Sequence, residues 1–291
     1  MNEILILSGK GGTGKTTFTA NFSLFLNKKD IVLDCDVDAA DLHIILEPEI
    51  LQEFEFYSGK ECFVDEEKCS GCGICEKNCN YDAIKLINSK AKINQIDCEH
   101  CLLCFRLCPE NAIYVKDALQ GKYFLSKSRF GQKFIHAKLN PGADNSGKLV
   151  ATIRTFAKKI GKQNMSEFIL IDGPPGVGCP VIASISGVKG VVFITEPTES
   201  GLHDLERVYE LARYFGVKSF VIINKSTLNE SISDRIEKFC NEKHIFLLGK
   251  IPYSEKFYYA LNQKKAIIEI DKEFYKKFNN YWEIIKKEVR P

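Results

Sequence analysis

The 291-residue chain carries 40 Lys and Arg against 38 Asp and Glu, a formal net charge of +2, with 45% hydrophobic and 27% charged residues. That balance belongs to a folded globular protein, excludes collagen, coiled coil and disorder, and gives no electrostatic case for nucleic acid as the main partner. With no apolar run of the ~18–20 residues that span a bilayer, and no basic segment ahead of Ile4-Leu5-Ile6-Leu7 to make a secretory signal, a cytoplasmic location is expected.

Glu3–Ser8 predicts a short buried strand, followed by a glycine-rich loop and a helix near Lys15–Asn27. Asp30–Asp34 is a second short apolar run that ends in acids. From about Ser58 to Tyr123 cysteines cluster, apolar runs shorten and turn residues interrupt every few positions. Beyond that block, strand-like runs at Phe134–Leu139, Phe168–Ile171, Gly190–Thr195, Lys218–Ile223 and Ile245–Ile251 alternate with helical patterns. The helices are expected at Asn145–Lys159, Gly201–Phe215, Ser231–Cys240 and Glu273–Val289. Uniformly apolar short strands alternating with helices predict an α/β domain, its mostly parallel sheet covered on both faces. Ligands of such sheets bind at the carboxyl ends of the strands. The expected organisation is an α/β domain in two parts, 1–57 and 124–291, interrupted by a small α+β insertion at 58–123.

The loop Ser8-Gly9-Lys10-Gly11-Gly12-Thr13-Gly14-Lys15-Thr16-Thr17 satisfies the Walker A pattern between a strand and a helix. Glycines there let backbone N–H groups face phosphate oxygens, and the helix N-terminus adds its positive end. Lys15 is expected to reach the β- and γ-phosphates and the Thr16 hydroxyl to ligate Mg²⁺. With Lys10, the loop resembles the deviant Walker A of the MinD/ParA/Mrp and nitrogenase iron-protein group of P-loop ATPases. The resemblance implies an ATP-dependent dimer in which Lys10 reaches the nucleotide of a partner subunit. It also implies a switch I role for Asp36, orienting water or the Mg²⁺ shell, with Asp34 and Asp38 able to share it. Asp172, at the end of Phe168-Ile-Leu-Ile-Asp172, becomes the Walker B acid, and Gly173-Pro-Pro-Gly176 the switch II loop. Asn224 resembles the adenine-reading residue, with a strand-end cap as its competitor, and Pro252-Tyr253 the second adenine wall.

Eight of the twelve cysteines fall in two runs, Cys69-x₂-Cys72-x₂-Cys75-x₃-Cys79 and Cys98-x₂-Cys101-x₂-Cys104-x₃-Cys108-Pro109. In a reducing compartment such cysteines serve metals, not disulfides. Each run has the bacterial ferredoxin spacing, in which the fourth cysteine ligates the other cluster. Cys69, Cys72, Cys75 and Cys108 are therefore expected on one [4Fe–4S] cluster, and Cys98, Cys101, Cys104 and Cys79 on the second. Paired Cys₄ zinc sites are the alternative, though zinc modules more often use two separated CxxC pairs. Asn80 replaces the proline that usually follows the fourth cysteine, a change near the second cluster that removes no ligand. His100 reads as a surface residue.

Over nearly its whole length the chain thus resembles MinD-superfamily ATPases with an inserted ferredoxin domain. The motifs that carry this include Asn145-Ser-Gly-Lys-Leu-Val and Thr195-Glu-Pro-Thr-x-x-Gly-Leu-His-Asp204. Of the remaining cysteines, Cys35, Cys62 and Cys240 read as packing residues. Cys179 lies seven residues past Asp172, the offset of the switch II cysteine that holds a cluster across the nitrogenase iron-protein dimer. That protein's other cluster cysteine is absent here: Asn145 stands in its place within Pro141-Gly-Ala-Asp-Asn-Ser-Gly-Lys148. Cys179 with Asn145–Lys148 is expected to form a nucleotide-sensitive docking face, with packing as the competing role. The C-terminal stripe Phe274, Phe278, Tyr281, Trp282, Ile285 and Val289, edged by lysines, reads as a helix docked on the sheet. A membrane-surface helix of the kind MinD proteins carry is the alternative.

The expected function is ATP-gated electron transfer through two clusters to a metalloenzyme or a metallocofactor-assembly partner, by a homodimer or a heterodimer with a paralogue. A cluster carrier of the Mrp type is the second expectation, weakened because no CxxC follows residue 108. A positioning ATPase of the MinD/ParA sort is the third.

Overall fold

The computed structural model describes residues 1–143 and 145–290. In chain order the elements begin with β1 (Asn2–Ser8), α1 (Lys15–Ser23), β2 (Ile31–Asp34), α2 (Leu42–Leu46) and β3 (Glu49–Val64). The cysteine-rich block holds α3 (Ile74–Lys77), β4 (Ile84–Ile87), β5 (Lys90–Ile93) and α4 (Leu103–Leu107), and leaves through β6 (Ile113–Lys127). Then come β7 (Lys133–Leu139), α5 (Ser146–Asn164), β8 (Phe168–Pro175), α6 (Cys179–Ile185), β9 (Gly190–Thr195) and α7 (Glu199–Tyr214). The chain continues through β10 (Lys218–Ile223), α8 (Glu230–Glu242), β11 (Phe246–Lys250), α9 (Lys256–Asn262) and α10 (Lys272–Val289). They form two compact units.

The larger unit comprises Met1–Phe54, Lys122–Leu139 and the chain from Asn145 on. Its sheet runs β11-β10-β9-β1-β8-β2-β7 and then β6 and β3. Every pair from β11 to β7 is parallel. The short connection over residues 128–132 permits only an antiparallel pairing of β6 with β7. This is the expected α/β P-loop fold. β1, β9 and β10 read as unbroken apolar runs because both faces are covered, and their burial is complete from Ile4 to Leu7 and from Phe220 to Ile223.

One face is closed by α1 and α10. Phe18 and Phe22 of α1 meet Phe278 at ring separations of 5.1 and 5.4 Å, and Trp282 lies 5.5 Å from Phe168 and 5.9 Å from Phe22. Each such buried ring contributes about 1.5–3 kcal/mol. Asp271 caps α10 by accepting from the Glu273 and Phe274 amides. The aromatic stripe of α10 is thus spent on the core, as the docking reading expects. Among the described residues no helix is long and apolar enough to cross a membrane.

The smaller unit spans Glu55–Gly121 with a short segment from Asn140. It holds α3, α4 and the antiparallel β4–β5 hairpin, Ile84 facing Ile93. Two strands go beyond the sequence reading: β3 runs through residue 58 and β6 through residue 123, the ends of the expected insertion. Both strands escaped detection because charged and polar residues interrupt them (Glu53, Glu55 and Lys60; Lys116, Asp117 and Lys122) and β3 is mostly exposed.

A candidate nucleotide site and two cysteine cavities

β1 delivers the chain to the loop at its carboxyl end, and α1 begins at Lys15. The turn between them requires left-handed backbone at Gly12 (φ 78°) and Gly14 (φ 98°), a region where a Cβ is unfavourable. A Cβ on Gly14 would also stand 2.9 Å from Asn224 Nδ2. That amide donates to the Thr13 carbonyl at 2.8 Å while its Oδ1 accepts from the Lys225 amide at 2.9 Å. Asn224 therefore both caps its strand end and braces the loop.

Lys15 is buried, and its Nζ lies 3.3 Å from Asp36 Oδ2. Asp34 and Asp172 face one another in the β2–β8 register. Thr19 Oγ1 donates to Asp172 Oδ1 at 2.8 Å, and the nearby Thr16 hydroxyl helps hold that carboxyl's pKa down. Burial pushes both carboxyls above the usual carboxylate range; the neighbouring Asp172 charge pushes Asp34 further, and the Lys15 ammonium opposes the rise at Asp172. Asp36 is raised by burial and held back by Lys15. Asp34 Oδ2, Asp172 Oδ2 and Thr13 Oγ1 are buried without hydrogen-bond partners. Unpartnered carboxylate oxygens beside the Walker threonine suit Mg²⁺ and its bound waters.

Two adjoining cavities meet at Gly12, Gly14 and Thr17. One of about 520 Å³ is lined by Gly11, Lys15, Thr16, Asp36 and Pro174. The other, about 250 Å³, is lined by Phe18, Asn224, Pro252, Tyr253 and Tyr258. The first has the charge for a triphosphate and the second the flat apolar walls for a base. Gly9 packs so tightly on Asp204 that a Cβ would overlap it. Lys10 lies on its own subunit's surface, its Nζ donating to Thr198 Oγ1 at 3.2 Å and Ser200 Oγ at 3.3 Å, with Glu196 Oε2 at 3.6 Å. Glu196 is also paired with Lys225 at 2.5 Å. Sequence reasoning missed this intramolecular hold on Lys10 and the part of Thr19; the Thr195-Glu-Pro-Thr motif was the one available signal.

The expected ligands line two further cavities in the smaller unit. Cys69, Cys72, Cys75 and Cys108 surround one. Cys79, Cys98, Cys101 and Cys104 surround the other, together with Cys75 and Cys62. The two runs repeat in conformation as well as spacing. Gly71, Gly73 and Asp82 have φ of 72°, 75° and 52°, and their counterparts 29 residues on, His100, Leu102 and Asn111, have 51°, 62° and 48°. Left-handed backbone is uncommon at a residue such as Leu102, so there the repeat is held against local preference. The Ala91 and Ala112 amides donate to Cys69 Sγ at 3.5 Å and Cys108 Sγ at 3.3 Å. Among the described residues no three His, Cys, Asp or Glu side chains are grouped so as to hold a single metal ion. The fit to clusters rests on the four-cysteine linings and the N–H donors aimed at sulfur.

His100 is half-buried with an unpartnered Nδ1, not a plain surface residue. Cys62 is buried, as read, and also lines the second cavity together with Cys104. Cys35 and Cys240 are both fully buried; Cys35 lies near Asp34, Arg154 and Ser184, and burial raises the Cys240 thiol to about 12. Cys179 is exposed at the start of α6, and a Cβ on Gly147 would stand 3.1 Å from its Cβ. The structure thus brings Cys179 to the α5 start that Asn145 opens, while Asp144 lies outside the described residues.

An uncharacterized protein of Methanocaldococcus jannaschii is 31% identical over 229 residues, covering 78% of this chain and 79% of the relative. A protein of Methanococcus maripaludis named as an iron–sulfur cluster carrier is 25% identical over 306 residues, 98% of this chain and 86% of its own. The septum site-determining protein MinD of Pyrococcus horikoshii, solved with Mg-ADP, shares the fold at a TM-score of 0.58 and 19% identity, covering 98% and 96% of the two chains. Residues 4–267 match the CobQ/CobB/MinD/ParA nucleotide binding domain, and the chain belongs to that family.

Proposed function

We propose that this chain is an ATP-hydrolysing iron–sulfur protein that couples nucleotide-driven dimer closure to electron transfer through two [4Fe–4S] clusters. Its electron acceptor is a metalloenzyme or a metallocofactor-assembly partner. The observation that carries this reading is the doubled cysteine cavity, repeated in spacing and in left-handed backbone, on a chain of a nucleotide-binding family.

In this reading Gly11–Thr17 cradle the phosphates, Lys15 neutralises the β- and γ-oxygens, and Thr16 with Asp172 and Asp36 holds Mg²⁺ and its waters. Asn224 and Pro252 border the base. Lys10 leaves Glu196, Thr198 and Ser200 to reach the nucleotide of a second subunit. Cys69, Cys72, Cys75 and Cys108 hold one cluster and Cys79, Cys98, Cys101 and Cys104 the other; once bound, the clusters supply one-electron transfer at potentials set by charge and sulfur hydrogen bonding. Anaerobic reconstitution followed by iron counting and EPR tests the ligand sets. Eight irons and two reducible centres per chain are expected from two four-iron clusters; a zinc-loaded, EPR-silent product contradicts the reading.

A second reading, cluster delivery, is favoured by the likeness to the carrier of Methanococcus maripaludis over nearly the whole chain. It predicts that the loaded protein passes iron to an apo-acceptor when ATP is added. Electron transfer predicts retention of both clusters.

A further inference from the structure

The two cysteine cavities are related residue by residue through the 29-position repeat. Cys69, Cys72, Cys75 and Cys108 of the first correspond to Cys98, Cys101, Cys104 and Cys79 of the second. Gly73 corresponds to Leu102, Glu110 to Tyr81 and Ile113 to Ile84, each pair lining its own cavity. The repeat breaks at one chemically important place. Ala91 lines the first cavity; its counterpart 29 residues earlier, lining the second, is Cys62. A methyl group faces one site and a thiol the other.

Cys62 lies on β3, outside both ligand runs, and only 1% of its surface is exposed. Its backbone is fixed by Gln95, whose Nε2 donates to the Cys62 carbonyl at 2.8 Å. Its side chain lines the second cavity together with that of Cys104. Four ligand positions are already filled by the run pattern, so a cubane on the second site has no open iron for a fifth sulfur. A thiolate that ligates iron accepts hydrogen bonds, and a neutral thiol has one proton to give. No water competes at so buried a position.

We propose that Cys62 is a positioning residue for the second cysteine site, donating its S–H to the Cys104 sulfur and so raising the reduction potential of that site relative to one without the donor. The inference rests on the iron–sulfur reading above. The direction follows from chemistry: a hydrogen bond to a ligand sulfur withdraws electron density and stabilises the reduced state. At this position the first site has only the Ala91 methyl group, which has no proton to give.

The test uses the full chain, reconstituted anaerobically, as wild type, Cys62→Ala and Cys62→Ser. Iron content and EPR come first: a wild type with fewer than two centres overturns the parent reading and this inference with it. With two centres present, both variants are expected to keep wild-type iron. Cys62→Ala lowers the potential of one centre and leaves the other unmoved, while Cys62→Ser, which retains an O–H donor, stays near wild type. Equal shifts in both variants assign Cys62 to packing and overturn the proposal. So does the absence of any shift in Cys62→Ala, or the loss of a centre from it, which would make Cys62 a ligand.

Discussion

Gly71 and Gly73 separate backbone strain from steric exclusion at the first cysteine cavity. Their φ values are nearly equal, 72° and 75°, so replacing either with alanine incurs the same left-handed penalty, about 1–2 kcal/mol. The space around them differs. A Cβ on Gly73 meets only Leu86 Cδ1 at 3.5 Å, an ordinary contact. A Cβ on Gly71 would stand 2.9 Å from the Ser89 carbonyl carbon and overlap its oxygen. Ser89 closes the β4–β5 hairpin in its own left-handed conformation, with φ 59°, so it has little freedom to retreat. Overpacking of this kind adds about 1–3 kcal/mol. Gly71→Ala should therefore cost roughly 2–5 kcal/mol against roughly 1–2 for Gly73→Ala. After anaerobic reconstitution, iron content and the two EPR centres are measured for both variants. Gly71→Ala is expected to lose the centre held by Cys69, Cys72, Cys75 and Cys108, and Gly73→Ala to retain both. Equal loading of the two variants would refute the reasoning.

Trp282→Ala removes a ring packed between Phe22 and Phe168 and should destabilise the larger unit by about 3–5 kcal/mol in urea unfolding. The wild type should not sediment with anionic vesicles, whether or not ATP is present. Lys15→Gln should reduce ATP hydrolysis at least about 100-fold, the scale for loss of one charge-stabilising group, with both EPR centres unchanged. His136 lies between Phe124 and Phe134, bonded to Ser126, and burial lowers its pKa from 6.5 to about 4. The unfolded chain therefore takes up the proton first as pH falls, and stability present above pH 6.5 is lost toward pH 4. Between pH 7.5 and 5.5 the loss should be about 1 kcal/mol, seen in denaturant titrations and flattened by His136→Gln.

What the sequence disclosed follows physical lines. β1, β9 and β10 were legible because double burial demands unbroken apolar runs, and the phosphate loop because its glycines are required by φ. β3 and β6 were not: solvent on one side admits Glu, Lys and Asp, which erase the pattern. The left-handed positions at Gly71 and Gly73 could be suspected from glycine, but those at His100 and Leu102 carry no such mark and needed the fold. The hold of Glu196, Thr198 and Ser200 on Lys10 joins residues about 190 positions apart, beyond any local signal. That buried Cys62 also lines the second cavity with Cys104 was not legible, because only the fold of the smaller unit brings the two together.

The central claim joins nucleotide to iron–sulfur redox state, and one measurement addresses it directly. It is an anaerobic EPR redox titration of the iron-loaded protein with ADP, repeated with a non-hydrolysable ATP analogue. The account predicts two centres whose potentials or spin coupling shift when ADP gives way to the analogue. Two centres indifferent to nucleotide would contradict the coupling, and fewer than two would contradict the ligand sets themselves.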